Sequence, residues 1–276
     1  MSNKPQSSKS FSSMLAGIVI PVALVFSYII YKFVLGSASN FEGGDPNNNP
    51  LPGNIMGIVY KGGMIVPVLM TLLFLVITFS VERYIIISRA RGKSSLDGFM
   101  MNVRAMLHSR DIDGCINACN TQEGSVANVI HATLSKYKQM ETETGMERDQ
   151  KILAITEEGE EAMTLELPAL EKNLVFLSTI ASIATLMGLL GTVLGMIRAF
   201  AALAQAGSPD SVALATGISE ALINTALGIS TSAIAIILYN VFTTKIDKLT
   251  YSMDEAGYSI AQTFAATHDR DGKQIK

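Results

Sequence analysis

Apolar residues in this chain gather into long blocks separated by polar stretches, and the block lengths set the first expectation. A helix that crosses a bilayer needs about 20 mostly apolar residues. Four segments reach that length: Phe11–Tyr31, Gly62–Val81, Leu174–Ile197 and Ala213–Phe242, the last with Glu220 near its start as its only charge. The pattern predicts an all-α, polytopic helical membrane protein with four transmembrane helices and long helices extending into a cytoplasmic helical domain. The first block follows Lys4 and Lys9 and precedes Gly36-Ser37-Ala38-Ser39, an arrangement that resembles a signal peptide. Its apolar run exceeds the roughly 7–15 residues of a secretory core, so it is read as a retained helix.

Between and around the blocks the polar pattern predicts the rest of the organisation. Residues 1–35 hold a tail and the first transmembrane helix, 36–61 a periplasmic linker and 62–88 the second transmembrane helix. Residues 89–172 form the cytoplasmic helical domain, 173–244 the core of the third and fourth transmembrane helices, and 245–276 a cytoplasmic tail. The linker is rich in Gly, Asn and Pro, which predicts an exposed segment without helix. Polar breaks near Asp111–Gly114, Thr121–Gly124 and Thr142–Gly145 divide the cytoplasmic domain into helices. The glutamates Glu157, Glu158, Glu160, Glu161, Glu166 and Glu171 read as a solvated helix face. Pro168, just before the third span, is expected to kink a helix that runs on into the membrane.

Lys and Arg set the orientation. Lys4 and Lys9 precede the first span, Arg83, Arg89, Arg91 and Lys93 follow the second, and Lys245 and Lys248 follow the fourth. Residues 36–61 carry only Lys61, and nothing basic follows Arg198 before the fourth span. With four spans, every basic region falls on one side, which places both termini in the cytoplasm of a bacterial inner membrane. Composition fits: 49% of residues are hydrophobic and only 16% charged, against about a quarter charged in soluble domains. The formal net charge of −3 gives no basic face for nucleic acid. Trp is absent, so any interfacial aromatic belt rests on Tyr and Phe.

The chain offers little for soluble catalysis. His108, His131 and His268 lie outside the spans and far apart, and there is no phosphate-binding loop of the G-x-x-x-x-G-K-[ST] kind. The two cysteines, Cys115 and Cys119, are one helical turn apart with no further ligand nearby, so they read as packed thiols and not as a zinc site. No cofactor or metal is expected. Gly188, Gly191 and Gly195 fall within a transmembrane pattern, where small residues at such spacing let helices approach closely. Gly228, in the fourth span, is a further small position for helix packing.

Polar residues inside the third and fourth spans carry the functional signal. At 100° per residue, Ser178, Ser182, Thr185 and Thr192 fall on one side of the third span. Glu220, Asn224, Gly228 and Thr231 share a stripe on the fourth, bordered by Thr225 and Ser232. An ionisable group within a span is a functional candidate by default; the bland alternative for Glu220 is an interfacial carboxylate at a helix start. Arg198 is its candidate charge partner. No residue in mid-span titrates, so the stripe reads as half of an ion pathway whose titrating group comes from another chain.

Two motifs at these residues resemble the MotA/TolQ/ExbB proton-channel family, most of all its ExbB members. They are Gly188-Leu189-Leu190-Gly191-Thr192-Val193-Leu194-Gly195-Met196 and Gly217-Ile218-Ser219-Glu220-Ala221-Leu222-Ile223-Asn224-Thr225-Ala226-Leu227-Gly228, followed by Tyr239-Asn240-Val241-Phe242. The resemblance covers residues 62 to about 255. It implies a homo-oligomer, a pentamer in the ExbB type, around an ExbD-like single-span partner whose aspartate takes up and releases protons. It implies that 173–244 is a proton-channel core with Thr192 and Thr225 on the path and Glu220 as the motif's acid. It further implies a stator that drives a TonB-like energy transducer. Relatives with other outputs are TolQ-like envelope maintenance and flagellar or gliding motors; a non-conducting membrane scaffold is the alternative from another class. The chain departs from the family pattern at Thr185 and Ile234, where Pro is frequent, and at Asn224, where small residues are common.

Overall fold

A computed structural model describes the backbone of residues 8–205 and 211–271 and the side chains of residues 17–204 and 212–267. Lys4 and residues 272–276 lie outside the described residues, as do the side chains of Lys9 and His268. The elements are α1 (Ser8–Ile29), extended by a wider π turn over Ile30–Leu35, then α2 (Ile55–Tyr60), α3 (Ile65–Ala90), α4 (Leu96–His108), α5 (Ile112–Gln122), α6 (Ser125–Thr142), α7 (Arg148–Glu171), α8 (Leu174–Gln205) and α9 (Ser211–Asp271). Among the described residues there is no strand, and four helical stretches are long and apolar enough to cross a membrane. The protein is an all-α polytopic helical membrane protein. The chain divides into two units, Met1–Ser80 with Phe176–Tyr239, and Val81–Val175 with Asn240–Lys276.

In the first unit α1 and the π turn that extends it leave Val22, Leu24, Phe26 and Phe33 exposed, the surface of a helix that meets lipid. Near its end the Tyr31 hydroxyl donates to the Tyr60 carbonyl at 3.1 Å, and the two rings stack at 4.7 Å. Phe26 packs on Phe74 of α3 at 5.3 Å. Residues 36–61 are largely exposed, as their composition suggests, but they are not free of helix. They contain α2 and fold onto it, with Phe41 and Asn40 buried. The reason is local side-chain bonding that composition does not reveal. Asn40 Nδ2 donates to the carbonyls of Val34 (2.8 Å) and Leu35 (2.9 Å), and Asn54 accepts from Gly57 N at 3.0 Å to cap α2. The α8 and α9 backbones run unbroken through Thr185 and Ile234.

In the second unit α4 to α7 pack with the ends of α3 and α9. Its core includes Leu134, Tyr137, Ile155, Met253, Ile260 and Phe264, with Tyr137 and Phe264 edge to face at 5.0 Å. Capping accounts for the breaks: Ser95 accepts from Gly98 N (3.2 Å), Asp111 from Gly114 N (2.9 Å), and Glu147 and Gln150 form a reciprocal capping box at α7. Buried Gln122 ties the end of α5 to the turn after α3, donating to the carbonyls of Arg91 (3.0 Å) and Ser94 (3.3 Å). Gly124, at φ +88°, lets that turn close, since a Cβ there would stand 2.6 Å from the Ala90 carbonyl oxygen.

The kink expected at Pro168 is displaced. Helix α7 continues through Pro168 to Glu171, and the chain breaks at Asn173, whose φ of +65° lies in the left-handed region. Asn reaches that region more readily than bulkier residues. Arg83, completely buried, donates to the carbonyls of Ala169 (3.3 Å) and Leu170 (3.1 Å). A cation at the last carbonyls of a helix satisfies orphan acceptors and opposes the negative end of its dipole. Glu82 pairs with Arg83 at 2.9 Å and accepts from Asn173 Nδ2. The stop is therefore built by three side chains, and the proline is only its neighbour.

Candidate functional site

The seam between α8 and α9 in the first unit is closer than side chains normally allow. A Cβ on Gly188 would stand 2.9 Å from the Asn224 carbonyl oxygen and 3.1 Å from Gly228 Cα. One on Gly195 would stand 2.8 Å from Ala221 N, and one on Gly228 2.6 Å from the Ala184 carbonyl oxygen. Gly191 faces the Asn224 side chain. At these points helix backbone meets helix backbone, as small residues permit in membranes.

That approach brings Thr192 and Thr225 together, and their hydroxyls hydrogen-bond to each other. Thr225 Oγ1 also donates to the Ala221 carbonyl at 3.1 Å, and Thr192 Oγ1 lies 3.3 Å from the Gly188 carbonyl. Each hydroxyl can donate or accept, so the pair can reverse its hydrogen-bond direction. A threonine hydroxyl does not titrate in the physiological range, so the pair can relay or position a proton but cannot store one.

Toward the start of α9, Glu220 forms an ion pair with Arg198. The Glu220 side chain is 8% exposed and that of Arg198 54%. Gly63, at φ +75°, closes over the pair: a Cβ there would stand 2.5 Å from Glu220 Oε1 and 3.1 Å from Arg198 Nη1. Asn224 is wholly buried and donates from Nδ2 to the Gly62 carbonyl at 2.8 Å, while its Oδ1 has no hydrogen-bond partner among the described residues. Asn224 thus holds the turn that opens α3, and Glu220 lies against it.

The structure does not bring Ser182 and Thr185 to the Thr192–Thr225 pair. Both are exposed on the outer side of α8, beside Leu186 and Leu189. Ser178, Thr185 and Thr192 nevertheless recur every seventh residue and mark one line along that helix. Ser232 serves packing, donating to the Ala181 carbonyl at 2.6 Å, and Thr231 is buried. Sequence reasoning missed Gly62 and Gly63; the doublet itself was the available signal.

The remaining chemical candidates lie in the other unit. Cys115 and Cys119 are buried free thiols on α5, and burial pushes Cys115 up to about 11 and Cys119 up to about 12. No cluster of three or more His, Cys, Asp or Glu side chains able to hold a metal occurs among the described residues.

A polytopic helical protein with a glycine seam, a hydroxyl pair on it and a buried acid at its end belongs to the class of membrane proteins built for close helix contact around polar groups. Residues 122–255 match the MotA/TolQ/ExbB proton channel family. It is similar to the Tol-Pal system protein TolQ of Pseudomonas aeruginosa, 30% identical over 127 residues that cover 46% of this chain and 55% of the relative. It is 39% identical to TolQ of Haemophilus influenzae over 88 residues, covering 32% of this chain and 39% of the relative. The biopolymer transport protein ExbB of Salmonella typhimurium is 38% identical over 71 residues, covering 26% and 29%. The chain spans about half the length of the first of these relatives and less of the others.

Proposed function

We propose that this chain is a channel-forming stator subunit of an inner-membrane, proton-driven motor of the ExbB type. With an ExbD-like single-span partner it uses proton motive force to energise TonB-dependent transport across the outer membrane. The observation that carries this reading is the Thr192–Thr225 hydroxyl pair on a glycine seam. A polar point of this kind, on helices whose mid-span groups do not titrate, calls for a proton carrier from another chain. The match of residues 122–255 to the MotA/TolQ/ExbB proton channel family supports the same reading. One charge crossing 100 mV releases about 2.3 kcal/mol, enough for discrete mechanical steps. Exposed Leu186, Leu189, Leu222 and Ile237 are the faces that neighbouring copies in a ring, a pentamer in this reading, or lipid would cover.

A TolQ-like role in envelope maintenance is the second reading, favoured by the longest of the three matched stretches, the 127 residues shared with a TolQ protein. The test is proton flux in vesicles holding this chain with its single-span partner. Flux that requires the partner and falls with Thr225→Val supports the motor; absence of flux in proven complexes rejects it. Glu220→Gln separates conduction from anchoring: the paired and buried carboxylate supports anchoring, so flux should persist in complexes that assemble. Which partner and transducer co-purify with the chain then separates the ExbB-type from the TolQ-type output.

A further inference from the structure

The second unit holds a cavity of about 280 Å³ lined by Tyr84, Ser88, Arg91, Phe242, Lys245 and Lys248, among others. Three cations face it against a single carboxylate, Asp97, which pairs with Lys248 at 3.0 Å. Lys245 stands over the Tyr84 ring, 5.3 Å from its centroid. Arg91 has no carboxylate partner among the described residues. Two positive charges therefore converge on a pocket with an apolar floor, Phe242 and Leu249, both buried.

Position along the chain gives the pocket its meaning. Tyr84 is three residues beyond the end of the second apolar block and Lys245 three beyond the fourth. At 1.5 Å per residue each is about 4.5 Å past the apolar block, at the depth of lipid headgroups. Toward the apolar side the same unit exposes Val81, Ile85 and Val241. Cations at headgroup depth with apolar side chains immediately below match a phospholipid: a phosphate above, acyl chains alongside. Basic pockets beside transmembrane helices recognise anionic headgroups in this way.

We infer that this pocket binds an anionic phospholipid of the leaflet on that side, with Arg91 and Lys245 holding the phosphate and Tyr84 flanking it. The site is independent of the proton pathway and rests only on the membrane placement of the apolar blocks.

The test uses the full chain in detergent micelles and measures retention of phosphatidylglycerol and of phosphatidylcholine with matched acyl chains by native mass spectrometry. Phosphatidylglycerol should be retained preferentially. Arg91→Gln and Lys245→Gln should each weaken it about fivefold, and the double variant about twentyfold, as expected for loss of surface cations. Lys136→Gln, outside the pocket, should leave retention unchanged. Ser88→Phe, which keeps the charges but fills the cavity, should also reduce it. Equal retention of both lipids, or unchanged retention in the double variant, overturns the proposal. So does complete displacement by millimolar inorganic phosphate, which would make this a soluble-anion site. A changed oligomer mass in the double variant with lipid retention intact would assign the groove to a second copy and likewise overturn it. Thermal melting of each variant separates lost binding from lost folding.

Discussion

Glu220 and Arg198 share an ion pair across very different environments, the carboxylate almost completely buried and the guanidinium half in the open. The asymmetry decides what each partner does. Removing Arg198 strands a charge that has no water, whereas removing the Glu220 charge frees a cation that solvent or headgroups can hold. Arg198→Gln should therefore destabilise the protein more than Glu220→Gln, by about 1–2 kcal/mol after allowing for the exposure of Arg198. Thermal unfolding of the two variants in one detergent checks the order; equal losses would refute it.

Arg83 fastens the end of α3 to the end of α7 in the second unit. Arg83→Met leaves the Ala169 and Leu170 carbonyls and Glu82 without their cation. Breaking a buried pair by deleting one partner costs about 3–5 kcal/mol. The expected outcome is a large drop in unfolding midpoint, with hydrogen exchange faster at the end of α7 first. A loss below about 1 kcal/mol would show that water reaches these carbonyls.

Two glycines on α9 should respond in opposite senses to the same change. Gly228→Ala places a methyl against backbone atoms of Ala184 and Gly188, and overpacking of that kind costs about 1–3 kcal/mol. Gly257→Ala meets nothing within 4 Å and gains the helix preference of alanine, up to about 1 kcal/mol. Melting temperatures of the pair test this directly.

The buried thiols predict an alkaline limit. Both hold their protons more tightly folded than unfolded, since the ordinary value of 9.0 rises to about 11 and 12. Above pH 9 the unfolded chain loses these protons first, so it binds fewer protons than the native state and stability falls with pH. The contribution is intact below about pH 9 and is lost as pH rises toward 11 to 12. Cys115→Ala/Cys119→Ala should flatten that part of the stability–pH curve. Alkylation of the native protein at pH 8 should be slow and should track unfolding.

The sequence carried the four apolar blocks and the helical breaks near Asp111, Thr121 and Thr142 because length, hydropathy and capping residues are local properties. It did not carry the stop at Asn173, because that depends on Arg83, which lies far away in sequence and reads there only as a topology signal. Composition hid the fold of residues 36–61 for a similar reason: the asparagines that suggest a loop are the ones that bond it shut. The polar positions of α8 and α9 can be nominated from helical spacing. That Thr192 meets Thr225, while Thr185 faces outward, depends on the register of one helix against the other, which the glycine contacts fix.

The seventh-residue spacing of Ser178, Thr185 and Thr192 sets a length scale. Seven residues advance about 10.5 Å along a helix, whereas an O–H···O bond spans about 2.7 Å. Successive hydroxyls are thus several hydrogen bonds apart, too far for a proton to hop directly from one to the next. They can serve as separate landing points, but not as a continuous wire. In the proposed channel, whatever travels along that face has to bring its own vehicle, either a moving carboxylic acid or a file of water molecules, with the Thr192–Thr225 pair as one station on the proposed route.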